Sequence, residues 1–282
     1  MRVSERSVAV EGEEWRLPGP GSLSWRVGRE SVLLLGGGRA LILQVAQPQV
    51  AAGVGQFSNY RDDPWGRIYR TIDVTLKIVF GDPDTSRAAA EQLRRRHQRV
   101  RGLDDRGEPY EALDPDLLLW VQATLIDTSL LIYERYVGPL TEGERELYFE
   151  EMKLMGEPYG IPRERQPADY AAFRRYYDDM LAHGLRATDT LRDVTDAVLR
   201  PELPFVARPA VEALRLVTVG HLPPSLRAEL DLGWGPGRER LLRASAGTIR
   251  RMMPLLPGLL RHLPAARAAE RREGAAPRGA AV

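Results

Sequence analysis

The 282-residue chain contains no cysteine. That single absence removes disulfides, zinc ribbons, iron–sulfur clusters and thiol catalysis together. Histidine is almost as scarce: the chain has four, so any chemistry that needs an imidazole rests on His97, His183, His221 or His262. Charge imbalance is missing as well. Forty Lys and Arg against 39 Asp and Glu leave a net charge of +1, which gives no bulk attraction to nucleic acid or to an anionic membrane. No stretch near the N-terminus combines a basic flank, an apolar core and a small-residue cleavage site, and the chain reads as cytoplasmic. An uninterrupted apolar run is lacking too. The longest, Leu117 to Tyr133, carries Gln122, Thr124, Asp127, Thr128 and Ser129, and so reads as the buried helix of an all-α core rather than an integral membrane span.

What the chain does have is helical pattern. Its 43% hydrophobic and 28% charged residues are ordinary for a globular protein, and one large domain is the default at this length. Residues 1–20 are polar and rich in Gly and Pro, and read as an arm. Residues 21–264 read as one helical domain, and 265–282, which show no periodic face, as a disordered tail. No convincing alternating strand appears. The stretch TIDVTLKIVFG is β-branched, yet it lacks turn signals before Gly81 and reads as the continuation of a helix opened by Pro64. Asp84 or Thr85 is expected to cap the next helix, which carries Ala89, Leu93, His97 and Val100 as one apolar stripe and ends at Gly102. Asp114 and Pro115 start a long helix to about Tyr136. Thr141 and Glu144 form a capping box, and Ala168 marks a further start.

Several groups invite a functional reading. In DPWGRIYRT, a helix opened by Pro64 puts Arg67, Arg70 and Thr71 at i, i+3 and i+4 on one face. That face suits a ligand, or an ion-pair network with Asp73, Asp127 or Glu134. Asp127 in particular lies in an apolar helix and needs a cation, for which an arginine of the Arg67 helix is the expected source. His97 on its stripe is either a buried histidine satisfied by a carbonyl or carboxylate, or a metal ligand. Gly36 to Arg39, GGGR, fits neither of the common phosphate-loop spacings and has no strand before it. RRMMPLLPGLLRHLP is apolar with basic flanks, but its prolines break the helix that lying on a membrane requires, so packing against the domain is expected. His183 reads as a helix end, and His221 and His262 as surface or packing residues.

From about Gly21 to Leu232 the chain resembles the catalytic domain shared by MpaB-type oxygenases and rubber oxygenase (latex clearing protein). The resemblance is carried in order by PGSLSWRVGRESVLLLGGGRALILQVA, PQVAAGV, DPWGRIYRT, RRRHQRVRG, YEALDPDLLLWVQATLIDTSLLIYERYVGPL and LPPSLRAEL. It implies an all-α helical bundle, a b-type haem with iron, and oxidation of an apolar substrate by O₂. It further implies that His97, in an H-x-x-V-x-G segment, is the proximal iron ligand, and that Arg67, Arg70 and Thr71 match the distal R-x-x-K-T segment of rubber oxygenase. Arg101, shortly after His97, is then a partner for a haem propionate or a nearby acid. Arg70 stands where rubber oxygenase has lysine, and a guanidinium cannot become the neutral amine that lysine offers to iron. Gln47, Phe57 and Gln122 occupy positions where many members have histidine. Those departures motivate the alternative of a haem-binding or haem-free helical protein acting as a carrier, sensor or accessory subunit.

Overall fold

A computed structural model of the chain describes residues 5–10, 13–58, 64–201 and 203–275. Its first element is an antiparallel hairpin, β1 (Glu5–Val10) and β2 (Glu13–Pro18), with Glu5 opposite Pro18. The expected N-terminal arm is therefore structured. Leu17 drives this, because its side chain is fully buried in one cluster with Ile78, Ala89, Ala90 and Met155.

Helix α1 (Leu23–Gly28) is capped by Ser22, whose hydroxyl accepts from the Trp25 N–H at 3.1 Å. The buried Glu151 carboxylate also accepts from the Leu23 and Ser24 N–H groups, at 3.1 and 2.6 Å. A 3-10 helix over Ser31–Gly36 then changes into α2 (Gly37–Ala46). The glycines at this change are needed for close approach. A Cβ on Gly36 would sit 2.6 Å from Thr128 Cγ2, and one on Gly38 would sit 2.6 Å from Thr218 Oγ1.

Next come α3 (Pro48–Phe57), α4 (Pro64–Phe80) and α5 (Pro83–His97). The β-branched stretch is helical, as the lack of turn signals predicts. Helix α5 departs from its expected bounds at both ends. Asp82 caps it, accepting from the Thr85 N–H at 2.9 Å, because Pro83 takes the first helical position and the cap must precede it. The helix stops at His97 rather than Gly102, because Arg101–Leu103 (β3) pairs antiparallel with Pro109–Glu111 (β4).

The central element is α6 (Pro115–Tyr136), capped by Asp114. By length and composition it passes for a membrane span, but 67% of its most apolar window is buried inside the protein. Trp120, fully buried, donates its indole N–H to the Leu43 carbonyl at 3.0 Å and stacks on Tyr177 at 5.6 Å. Helix α7 (Glu142–Gly156) opens with the Thr141–Glu144 capping box. Asp169, one residue beyond the expected start, caps α8 (Tyr170–Asp179), and a π-helical turn over Met180–Gly184 follows. The main core joins α1, α2, α6, α7, α8 and α9 (Asp189–Leu199) through Ile42, Leu43, Trp120, Phe149, Phe173 and Leu191.

The C-terminal third adds α10 (Arg208–His221), α11 (Pro224–Glu229), α12 (Pro236–Met252), α13 (Gly258–Arg261) and α14 (Pro264–Ala275). The last of these corrects the expected disordered tail up to residue 275. Ala266 and Ala269, one turn apart, pack with Trp25 and Phe80, and Glu270 accepts from the Trp25 indole at 3.0 Å. Alanines form a binding face here without the large apolar periodicity that marks one in a sequence. The proline-broken segment before α14 packs only in part. Met253 and Leu263 are buried, whereas Leu255, Leu259 and Leu260 are exposed.

Candidate functional site

Helices α4 and α5 form an antiparallel pair. Ser86 Oγ donates to the Ile78 carbonyl at 2.6 Å, and Val74 and Leu93 join the same apolar cluster. This arrangement brings the first two turns of α4, which hold Arg67, Arg70 and Thr71, to the end of the pair where α5 finishes at His97. The Arg67 side chain lies outside the described residues, while those of Arg70 and Thr71 are exposed. Arg101, also exposed, opens β3 four residues after His97.

His97 is half-buried, and its imidazole makes no hydrogen bond to another described residue. Burial lowers its pKa below the usual histidine value, which favours the neutral ring with its nitrogen lone pair. Among the described residues no group of three or more His, Asp or Glu side chains assembles into a metal cage. A donor set of one imidazole suits a haem iron, whose macrocycle supplies the other nitrogens, better than a free ion.

Gln47, Gln122 and Phe57 have structural places of their own. Gln47 caps α3, accepting from the Val50 N–H at 2.8 Å. Gln122 is buried and donates to the Met152 carbonyl at 2.6 Å, tying α6 to α7, and its own Oε1 has no partner. Phe57, the last residue of α3, is half exposed.

A second polar centre lies in a cleft of about 420 Å³ between α2, α6, α8 and the end of α10. Arg39 is its hub. The guanidinium donates to Asp127 at 2.6 Å, Thr128 at 2.5 Å, the His221 carbonyl at 2.7 Å and the Tyr177 hydroxyl at 3.2 Å. Asp127 also accepts from Arg174, which in turn holds Asp178 at 2.8 Å. The partner of Asp127 is therefore not the expected arginine of the Arg67 helix; α2 and α8 supply two others. Glu134 pairs with Arg145 at 2.7 Å and Asp73 with Lys77 at 2.7 Å.

His221 completes the cleft. Its Nδ1 lies 2.8 Å from the Val217 carbonyl, an acceptor only, so Nδ1 carries the proton and Nε2 the lone pair. Nε2 is buried without a partner, and the ring lies 5.8 Å from that of Tyr136. Burial pushes the His221 pKa down to about 4, against the small opposing effect of the Val217 bond. The sequence carried a signal for this centre in the isolated charges of Arg39 and Asp127 on apolar helices. It did not carry the signal for His221, whose environment is made by residues far apart in the chain. His183 is an exposed helix-end residue beside Asp179, and His262 sits half-buried 3.7 Å from Glu30.

Residues 25–251 match the family model described as the catalytic domain of ER-bound oxygenase mpaB/B' and rubber oxygenase. Two uncharacterized proteins, from Mycobacterium bovis and Mycobacterium tuberculosis, are each 27% identical to this chain over 224 residues, covering 77% of it and 87% of their own length. No solved structure matches. With an all-α fold and a match over most of its length, the chain belongs to the mpaB/rubber oxygenase catalytic-domain family, a family of oxygenases.

Proposed function

We propose that the protein is a cytoplasmic, haem b-dependent oxygenase that uses O₂ to oxidise an apolar small molecule, an alkene or isoprenoid, with His97 as the iron ligand. The observation that carries this reading is the placement of His97: a half-buried imidazole with no hydrogen-bond partner among the described residues, at the end of the α4–α5 pair that also carries Arg70 and Thr71. A bound haem b would supply the oxygen-activating iron, and the chain supplies the rest.

In this reading His97 donates its nitrogen lone pair, and its partial burial limits competition from water and protons. Arg67, Arg70 and Thr71 present donors that orient O₂ and substrate. Arg70 and Arg101 supply fixed positive charge for the propionates. A guanidinium is suited to carboxylates and not to iron, so Arg70 would meet a propionate or the substrate rather than ligate the metal.

The second reading, a haem-binding or haem-free carrier, sensor or accessory subunit, is favoured by Gln47 and Gln122, which serve as a helix cap and an interhelix tie. One spectrum separates the two. Protein expressed with haem supply is expected to show a Soret band that shifts when CO is added to the reduced form. A colourless protein that takes up no added haemin overturns the oxygenase reading and leaves the haem-free one.

A further inference from the structure

Helices α10 and α12 run antiparallel. Near the end of α10, Gly220 abuts Leu242 near the start of α12, and Leu216 and Val217 share a cluster with Ala246, Ile249 and Met253. The far end of the pair therefore gathers two 3-10 turns, Phe205–Ala207 before α10 and Met253–Leu255 after α12. Helix α13 follows directly, fixed to the Ser31–Gly36 turn where the Ser31 hydroxyl donates to the Leu260 carbonyl at 3.1 Å.

These turns leave large apolar side chains in water. Phe205 is 74% exposed, Val206 86%, Leu255 82%, Leu259 66% and Leu260 64%. A protein with no use for such a cluster buries it or replaces it. Arginines flank it. Arg208 lies over the Phe205 ring at 4.8 Å, and neither it nor the exposed Arg250 and Arg251 has a carboxylate partner among the described residues. Among the described acids, Asp196 is engaged by Arg200 and Glu212 by Arg215.

We propose that this end of the α10–α12 pair docks onto an anionic phospholipid surface. The apolar side chains enter the headgroup and acyl boundary, while Arg208, Arg250 and Arg251 meet lipid phosphates. Proline breaks at Pro204, Pro254 and Pro257 present the apolar residues as short protruding turns rather than along one helix face, so insertion needs no continuous amphipathic helix. A second copy of the chain is a poorer occupant, because a two-fold contact would bring the same arginine-flanked patch of both copies together.

Co-sedimentation with vesicles tests it. Full-length protein is expected to pellet with vesicles of about three parts phosphatidylcholine to one part phosphatidylglycerol, to remain in solution with phosphatidylcholine alone, and to lose binding as salt is raised. The paired substitution Leu255→Glu and Leu259→Glu, and separately Phe205→Glu with Val206→Glu, should each weaken pelleting about tenfold or more while the thermal melt stays unchanged. Failure of the unaltered protein to pellet, equal pelleting with neutral vesicles, or unchanged pelleting of both folded variants overturns the proposal. So does a dimer in light scattering that Leu255→Glu with Leu259→Glu dissolves, in a protein that ignores vesicles.

Discussion

Arg39 and Asp127, 88 residues apart in the chain, meet at 2.6 Å with side chains only 6% and 12% exposed. Removing one partner of a buried pair leaves the other charge desolvated and uncompensated. Asp127→Ala would strand Arg39 and deprive Arg174 of its inner partner, and is expected to cost about 3–5 kcal/mol of stability in a denaturant titration. Replacing both residues with leucine should cost less than the two single substitutions added together, because neither charge is then left alone. Additive losses would show that the pair is not coupled.

His221 gives the fold a pH dependence of known sign. Its pKa is about 4 in the folded protein and 6.5 as the ordinary value, so the unfolded chain binds more protons between the two. Stability from the neutral ring is complete above about pH 6.5 and falls as pH drops toward 4. Arg39 and Arg135 face the ring and oppose its protonation, and Glu239 favours it. His221→Phe keeps a ring against Tyr136 and should flatten the fall in melting temperature over this window. His97 and His262 are shifted in the same sense, so a shallower slope remains. A slope identical to that of the unaltered protein would contradict the assignment.

Much of the fold was legible because its signals are local. Asp114 and Pro115 mark the start of α6, and the Thr141–Glu144 box marks that of α7, by chemistry contained in four residues. The helical course of α4 was readable from the missing turn residues despite its β-branched content. The features that were not legible depend on distant packing. The β1–β2 hairpin is held by Leu17 against α4, α5 and α7, and α14 by two alanines against Trp25 and Phe80. At the candidate sites, the sequence identified which charges needed partners but not which partners they find. Asp127 on an apolar helix signals an acid that needs a cation, but its arginines come from α2 and α8. His97 stood out by scarcity and position, while the cleft around His221 is assembled from segments that share no motif.

The most direct test of the account is haem retention in three single-histidine variants, read as Soret absorbance relative to protein after identical expression and purification. His97→Ala is expected to lose the haem, whereas His183→Ala, at an exposed helix end, and His221→Ala, in the separate cleft, should retain it. Equal retention in His97→Ala and His183→Ala would contradict the iron assignment, as would loss in His221→Ala with retention in His97→Ala.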